Sequence, residues 1–425
     1  MELLILFVAL IALILIGVPI GYSLGGAGII YFLLTNPMML MNMPQKVWSP
    51  LNSFVLIAMP LFMFAGELMN HGGLTKRLIN FSLLLVKPLR GGLGEVNVVA
   101  SMIFGGITGS SVADTSALGS ILIPDMIDMG YSKEFTTGVT VASSTVGMII
   151  PPSIPMLMYA MVSSESVGKL FAAGVIPGIL IGLFMLVYTW IVSEKRGYHD
   201  FSSGITMKKS AVFKDGILAV LMPVMILVLV VGGITTASES AAAAVVYAFI
   251  LGFFVYKELT WKDVVESLKK TAIMTASVMI IGGFTSIFTW ILAINQVPAM
   301  IADLILGSGV PTWVILLGMD VLILFLGTFI DVVPCILLLT PILMPVMSQL
   351  GISTLHFGMI MIIGLAIGLV TPPVGMCLNV ATKIAKMSIV DCFKAAAPFL
   401  ICNIGVLLIV TFIPAATTWL PTLVM

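Results

Sequence analysis

Charge is scarce in this sequence. Only 9% of its 425 residues are Asp, Glu, Lys or Arg, and the two signs cancel. Hydrophobic residues make up 60%, with a mean hydropathy of +1.20. A soluble chain of this size could not cover its surface with so few charges and would aggregate. Zero net charge leaves no basic excess for nucleic acid. The four cysteines (Cys335, Cys377, Cys392, Cys402) form no C-x-x-C pair and no ligand spacing with the three histidines, which reads as buried thiols rather than metal or disulfide positions. No H-E-x-x-H helix and no G-x-x-x-x-G-K-[ST] loop occurs, so the chain carries neither a zinc-hydrolase signature nor a nucleotide-driven motor.

Apolar runs of membrane-spanning length recur from end to end, which predicts an all-α polytopic protein embedded in a lipid bilayer. The opening MELLILFVALIALILIG has no Lys or Arg before its apolar run and no clear cleavage site, so it is expected to stay as a span. Spans are expected at 2–16, 20–34, 51–69, 133–163 and 170–193, then at 216–232, 236–256, 271–294, 355–382 and 395–420. Two more apolar stretches, 96–123 and 312–345, have polar or proline-containing centres and are expected to be re-entrant hairpins.

The chain repeats itself at an offset of 221 positions. Pro124 meets Pro345, Gly130 meets Gly351, Ser132 meets Ser353 and Gly147 meets Gly368. Pro151–Pro152 meet Pro372–Pro373, and Pro177 meets Pro398. Prolines and glycines fix backbone geometry, so their coincidence argues for a tandem duplication. Five crossings per half make the two repeats inverted. Placing both termini outside puts loops 70–95, 124–134, 194–215, 257–270 and 383–394 in the cytoplasm, and these hold 17 of the 19 Lys and Arg residues. The amphipathic KELTWKDVVESLKK (257–270) and its counterpart near 36–50 are expected to be interfacial brace helices.

Carboxylates at membrane depth are costly and therefore informative. Four are expected there: Glu67, Asp114, Asp320 and Asp331. Glu67, near the end of its span, reads as a solvated or cap-like residue. For Asp320 two roles stay open, a contact with a neighbouring helix and a proton-linked function. Asp114 lies in the first hairpin, FGGITGSSVADTSALGS (104–120), and Asp331 in the second, FLGTFIDVVPC (325–335). The offset sets Asp114 against Cys335, so the two carboxylates differ in register by four positions. Each hairpin has a broken helix as its partner, GMIIPPSIP (147–155) or GLVTPPVGM (368–376). A double proline unwinds a span and frees carbonyls that are expensive at mid-membrane unless something binds them. Carbonyls, hydroxyls and one carboxylate per half suit a hard monovalent cation such as Na⁺, and half-helix N-termini favour an anionic substrate. A channel would need a symmetric pore, and a hydrolase would need a Ser–His or Asp–Asp arrangement at depth; none of His71, His199 and His356 is placed for one.

These motifs, with LGTFIDVVPCILLLTPILMP, resemble the large membrane subunit of tripartite ATP-independent periplasmic (TRAP) transporters over essentially the whole chain, most of all the members that import sialic acid. The resemblance implies a sodium-driven secondary importer with an elevator-type fold, not an enzyme. In that fold a scaffold (1–50 and 216–270, with the arms) carries a moving transport domain. The transport elements would be 51–193, with hairpin 96–123, broken helix 133–163 and closing helix 170–193, and 271–425, with hairpin 312–345, broken helix 355–382 and closing helix 395–420. Residues 194–215 would be a cytoplasmic linker, and the membrane would be the bacterial inner one.

The resemblance also implies two partners, a small four-helix membrane subunit on a separate polypeptide and a soluble periplasmic binding protein that delivers an organic acid. It implies a first Na⁺ site from Gly109, Ser110 and Asp114 with carbonyls near Gly147 and Ile150. A second would use Gly327, Thr328, Asp331, Gly368 and Thr371. Substrate contacts would come from Ser111, Ser153 and Thr371. The alternative within the same superfamily is an ion-coupled carrier that works without a binding protein. One charge crossing 100 mV is worth about 2.3 kcal/mol, so two or more sodium ions are expected to keep an anionic substrate moving inward.

Overall fold

The computed structural model describes residues 2–86, 92–198 and 209–425, with side chains in the last stretch from residue 212. His199 and parts of the expected loops 70–95 and 194–215 lie outside the described residues. All regular structure among the described residues is helical. The first repeat runs α1 (Glu2–Leu15), α2 (Ile20–Thr35), a 3₁₀ turn (Pro37–Asn42), α3 (Met43–Leu51), α4 (Phe54–His71) and α5 (Leu74–Val86). It continues with α6 (Leu93–Thr108), α7 (Ser111–Asp128), α8 (Lys133–Ser143), α9 (Ile154–Ser163) and α10 (Val167–Arg196). The second runs α11 (Lys209–Val231), α12 (Ala237–Ile250), α13 (Trp261–Ile294), α14 (Val297–Gly307) and α15 (Thr312–Gly327). It closes with α16 (Val332–Gln349), α17 (Thr354–Gly368), α18 (Met376–Ala385), α19 (Ile389–Phe412) and α20 (Ala415–Val424).

The repeat is structural as well as sequential. Gly130 and Gly351 both take positive φ, +92° and +74°, a region that side chains with a Cβ avoid. Two residues later Ser132 and Ser353 cap α8 and α17, accepting from the Phe135 and His356 amides at 3.3 and 3.2 Å. The repeats also exchange partners: α4 packs on α12, and the equivalent α13 packs on α2. Each half therefore completes the other's helix pair. A separate cluster of buried side chains, including Leu6, Tyr31, Phe32 and Phe288, joins α1 and α2 to α13 apart from the main core.

The described parts of the five basic loops meet at one end of the bundle. Arg77 pairs with Glu258 at 2.7 Å, and Tyr256 donates to the Asp215 carbonyl at 2.8 Å. Lys133 donates to the Lys386 carbonyl at 3.1 Å, and Arg196 to Ser132 at 3.0 Å. Among the described residues seven helices can cross a membrane by length and composition: α4, α10, α11, α12 with the π turn that extends it, α13, α16 and α19. The first two expected spans are shorter, about 21 and 24 Å.

Three elements differ from the reading of the sequence. The expected brace 257–270 and span 271–294 form one 34-residue helix, α13. Nothing between Lys270 and Thr271 breaks a helix, and Thr260 starts it with a capping box, in which its hydroxyl and amide donate to Asp263 at 2.6 and 2.9 Å. The expected span 395–420 stops at Phe412 and resumes as α20, because Pro414 pushes Ile413 out of helical geometry (φ −120°, ψ 85°). Finally, α5 and α14 lead into the hairpins where loops were expected. At 13 and 11 residues both are too short to span.

Candidate ion and substrate site

Each hairpin forms as expected, and its tip is bonded to the break of its own repeat. In the first, α6 ends at Gly109, whose φ of +61° lets the chain turn back within two residues. Ser110 is extended and caps α7, accepting from the Ala113 amide at 3.4 Å. The Gly109 carbonyl accepts from the Ile154 amide at 3.4 Å. In the second, α15 ends at Gly327, and Asp331 caps α16 by accepting from the Val332 amide at 2.7 Å. The Thr328 carbonyl accepts from the Val374 amide at 3.1 Å. The offset of 221 pairs Ser110 with Asp331, and both are N-caps. The four-position mismatch between the carboxylates thus has a physical reason: in one repeat the acidic residue caps the helix, and in the other it sits one turn inside.

Both double prolines interrupt their helices as expected, each with a cis bond between the two prolines. In the first break, α8 tightens to 3₁₀ over Ser144–Met148 before Ile149, Ile150 and the prolines. Ser153 then restarts the chain as α9, its hydroxyl donating to the Met148 carbonyl at 2.6 Å and accepting from the Met156 amide at 3.4 Å. In the second, Thr371 donates its amide to the Gly368 carbonyl at 3.0 Å and its hydroxyl to Ile367 at 3.0 Å, and Gly375 (φ +50°) opens α18.

The glycines set how closely hairpin and break approach. Gly105 lies against Gly147, and Gly327 against Gly368. A Cβ on Gly368 would come within 2.6 Å of the Gly327 backbone. Asp114 occupies the space that Gly147 leaves. It is fully buried; Thr108 donates to its Oδ1, while Oδ2 has no hydrogen-bond partner and faces the Gly147 backbone. An unpartnered carboxylate oxygen in a closed space is expensive unless a cation or proton occupies it.

The second site is built differently. Asp331 is exposed and already holds the Val332 amide, while the Thr328 hydroxyl donates to the Phe325 carbonyl at 2.7 Å. The segment that carries Cys377 touches both hairpins: α18 packs against α7, and the Val374 amide just before it donates to Thr328 of the second tip. Of the expected substrate contacts, Ser111 is buried with its hydroxyl unpartnered, Ser153 is committed to its own break, and Thr371 is partly exposed.

Sequence reasoning missed Thr108 and Gly105, both inside the quoted FGGITGSS, and it missed the hydroxyl ladder behind the site. There Asn97 donates to Thr140 at 2.6 Å, Thr115 to Ser144 at 2.8 Å and Asn403 to Thr145 at 2.9 Å. A period of serines and threonines on α8 was the available signal. Two acids lie elsewhere. Asp320 has the Thr411 hydroxyl 3.0 and 3.2 Å from its carboxyl oxygens, the contact with a neighbouring helix that was one of its two readings. Glu67 pairs with Lys270 at 2.7 Å rather than standing solvated.

Comparison with known proteins decides the family. The description "Tripartite ATP-independent periplasmic transporter, DctM component" matches residues 7–416. The chain belongs to this family. It is 37% identical over 413 residues to the sialic acid TRAP transporter large permease protein SiaM of Vibrio cholerae, covering 97% of each chain. It is 35% identical over 437 residues to the C4-dicarboxylate TRAP transporter large permease protein DctM of Rhodobacter capsulatus, covering 100% of this chain and 99% of that one. Among solved structures, the YdaH transporter of Alcanivorax borkumensis shares the fold, with a TM-score of 0.65, 14% identity and 88% of both chains covered. As a TRAP large permease the chain is a multi-pass membrane transporter and not an enzyme. Membership implies partnership with a small membrane subunit and a periplasmic binding protein.

Proposed function

We propose that this TRAP permease imports an organic acid anion, with sialic acid favoured, by coupling its entry to two or more sodium ions. The observation that carries the reading is the Oδ2 of Asp114, buried without a partner where a hairpin tip meets a broken helix. Asp114 would supply the charge for one ion, with Gly109, Ser110 and the carbonyls of Gly147 and Ile150 completing its oxygen shell. Gly327, Thr328, Asp331, Gly368 and Thr371 would hold the second. Ser111, Ser153 and Thr371 would face the anion between the tips. Cation charge beside the tips would offset the carboxylate of the substrate, so ion and anion enter together.

The hairpins and broken helices would move as the transport domain of an elevator against a scaffold of α1, α2, α11 and α12. The basic end would face the cytoplasm of a bacterial inner membrane, and both termini the periplasm. The small subunit would extend the scaffold, and the binding protein would deliver the acid from outside.

The test is uptake of labelled acid into proteoliposomes holding the permease with its small subunit, with the binding protein outside. Uptake should require external Na⁺ and should not be restored by a proton gradient. Equal uptake in sodium-free buffer would overturn the ion assignment. Equal uptake without any binding protein would favour a carrier that takes free substrate. Counterflow of labelled against unlabelled acid separates either carrier from a channel.

A further inference from the structure

Away from the hairpins, at the basic end of the bundle, α8, α10 and α19 line an open cavity of 490 Å³. Three cations line it: Arg196 in the last turn of α10, Lys386 in the turn before α19, and Lys394 on α19. Its floor is aromatic, with Tyr188 and Phe399 edge to face at 5.0 Å and Phe135 at 5.9 Å from Phe399. Two carboxylates also line it. Asp391 accepts from the Ser388 hydroxyl at 2.6 Å through one oxygen, and Glu134 is exposed, so the lining keeps one positive charge in excess. Among the described residues no carboxylate pairs with Lys386 or Lys394. Arg196 spends one N–H on Ser132, and Lys133 adds a fourth cation beside the Lys386 carbonyl.

The same two helices also carry exposed apolar side chains. One turn before Tyr188 on α10, Phe184 is 38% exposed, and across from it on α19 Ile401 is 70% exposed and Ile404 39%. The Cys402 thiol lies 3.7 Å from the Phe184 carbonyl, which closes α10 on α19 beneath this strip. A soluble anion would use only the cationic mouth. A molecule with a phosphate at one end and hydrocarbon at the other uses both.

We propose that this cavity binds the headgroup of an anionic phospholipid, with its acyl chains lying along the exposed faces of α10 and α19. The unpaired lysines and Arg196 hold the phosphate, and the aromatic floor carries the glycerol at the membrane boundary, where basic pockets between helices select anionic lipids. The site is independent of the ions and the transported acid.

The test is native mass spectrometry of the purified complex, supplied with equal amounts of phosphatidylglycerol and phosphatidylcholine. The wild-type complex should retain phosphatidylglycerol preferentially. Lys386→Ala with Lys394→Ala should lower its retention about thirtyfold, as expected for two cations near a membrane surface. Lys386→Arg with Lys394→Arg should restore it, which separates lost charge from lost fold. Lys262→Ala with Lys269→Ala, on the exposed start of α13, should leave it unchanged. Equal retention in the double Ala variant, a preference for phosphatidylcholine, or displacement of the lipid by glycerol 3-phosphate would each overturn the proposal.

Discussion

Oδ2 of Asp114 lies so close to Gly147 that a Cβ added to the glycine would overlap it. The carboxylate of one hairpin and the break of one helix therefore share a single space, and only glycine leaves it open. Gly147→Ala should abolish most transport while the complex still assembles, because the clash falls on the proposed ion ligand and on the backbone of Gly105 behind it. Gly318→Ala, with nothing within 4 Å of its added Cβ, should stay within about twofold of wild type. Transport by Gly147→Ala at the Gly318→Ala level would show that Asp114 has room to move.

The ion pair between Glu67 on α4 and Lys270 on α13 ties the two exchanged helices together. Its partners are unequally enclosed: the Glu67 side chain is 13% exposed, that of Lys270 53%. Removing the lysine strands a nearly enclosed carboxylate, whereas removing the glutamate leaves a lysine in water. Lys270→Met should therefore lower stability by about 1 kcal/mol, discounted for exposure, and Glu67→Gln by less. The double variant should recover part of the loss. Strictly additive thermal shifts of the purified complex would mean that the pair contributes nothing.

Much of this architecture was legible because proline and glycine constrain the backbone wherever they fall. The matched PP pairs located both breaks, and the glycine-rich and proline-bearing centres located both hairpins. The amphipathic run 257–270 misled, since a surface helix and the first turns of a long membrane helix carry the same pattern; only the absence of a breaker after Lys270 distinguishes them. The site was half legible. Asp114 and Asp331 stand out as rare acids in apolar surroundings, but a hydroxyl such as Thr108 announces nothing until the chain folds it onto a carboxylate. Which carboxylate would be sealed and which left open depended on the one-turn difference between a cap and a first-turn residue, and burial follows from the packing of distant helices.

The second hairpin rests on a backbone-to-backbone contact. The Cβ of an alanine at 368 would meet the Cα and carbonyl carbon of Gly327, each at 2.6 Å, and neither can rotate away. Gly368→Ala should push α15 off α17 and destabilise the complex by about 1–3 kcal/mol, read as a lowered unfolding temperature. Gly307→Ala, at the open end of α14, should not lower it. An unchanged unfolding temperature for Gly368→Ala would mean that the tip is loosely held and that the Thr328–Val374 bond does not fix it.

The three intramembrane aspartates make the sharpest test, because their surroundings differ. Asp114 is sealed with one oxygen unpartnered, Asp331 is exposed and caps a helix, and Asp320 is buried against Thr411. Asp114→Ala removes a buried charge with an unpartnered oxygen, so transport should fall steeply and the sodium dependence should shift upward or lose cooperativity. Asp114→Asn keeps an oxygen there and should be milder at saturating sodium. Asp331→Ala should change the sodium dependence as well, but it also removes the cap of α16, worth about 1 kcal/mol, so it should lower stability where Asp114→Ala does not. Asp331→Ser separates the two effects: it restores a capping oxygen, as Ser110 provides in the other repeat, without the charge. It should recover stability and leave the sodium defect. Asp320→Asn retains an acceptor for Thr411 and should leave the sodium dependence near that of wild type. Unchanged sodium dependence in both Asp114→Ala and Asp331→Ala, together with a shifted one in Asp320→Asn, would move the ions away from the hairpin tips and onto the helix pair α15 and α19.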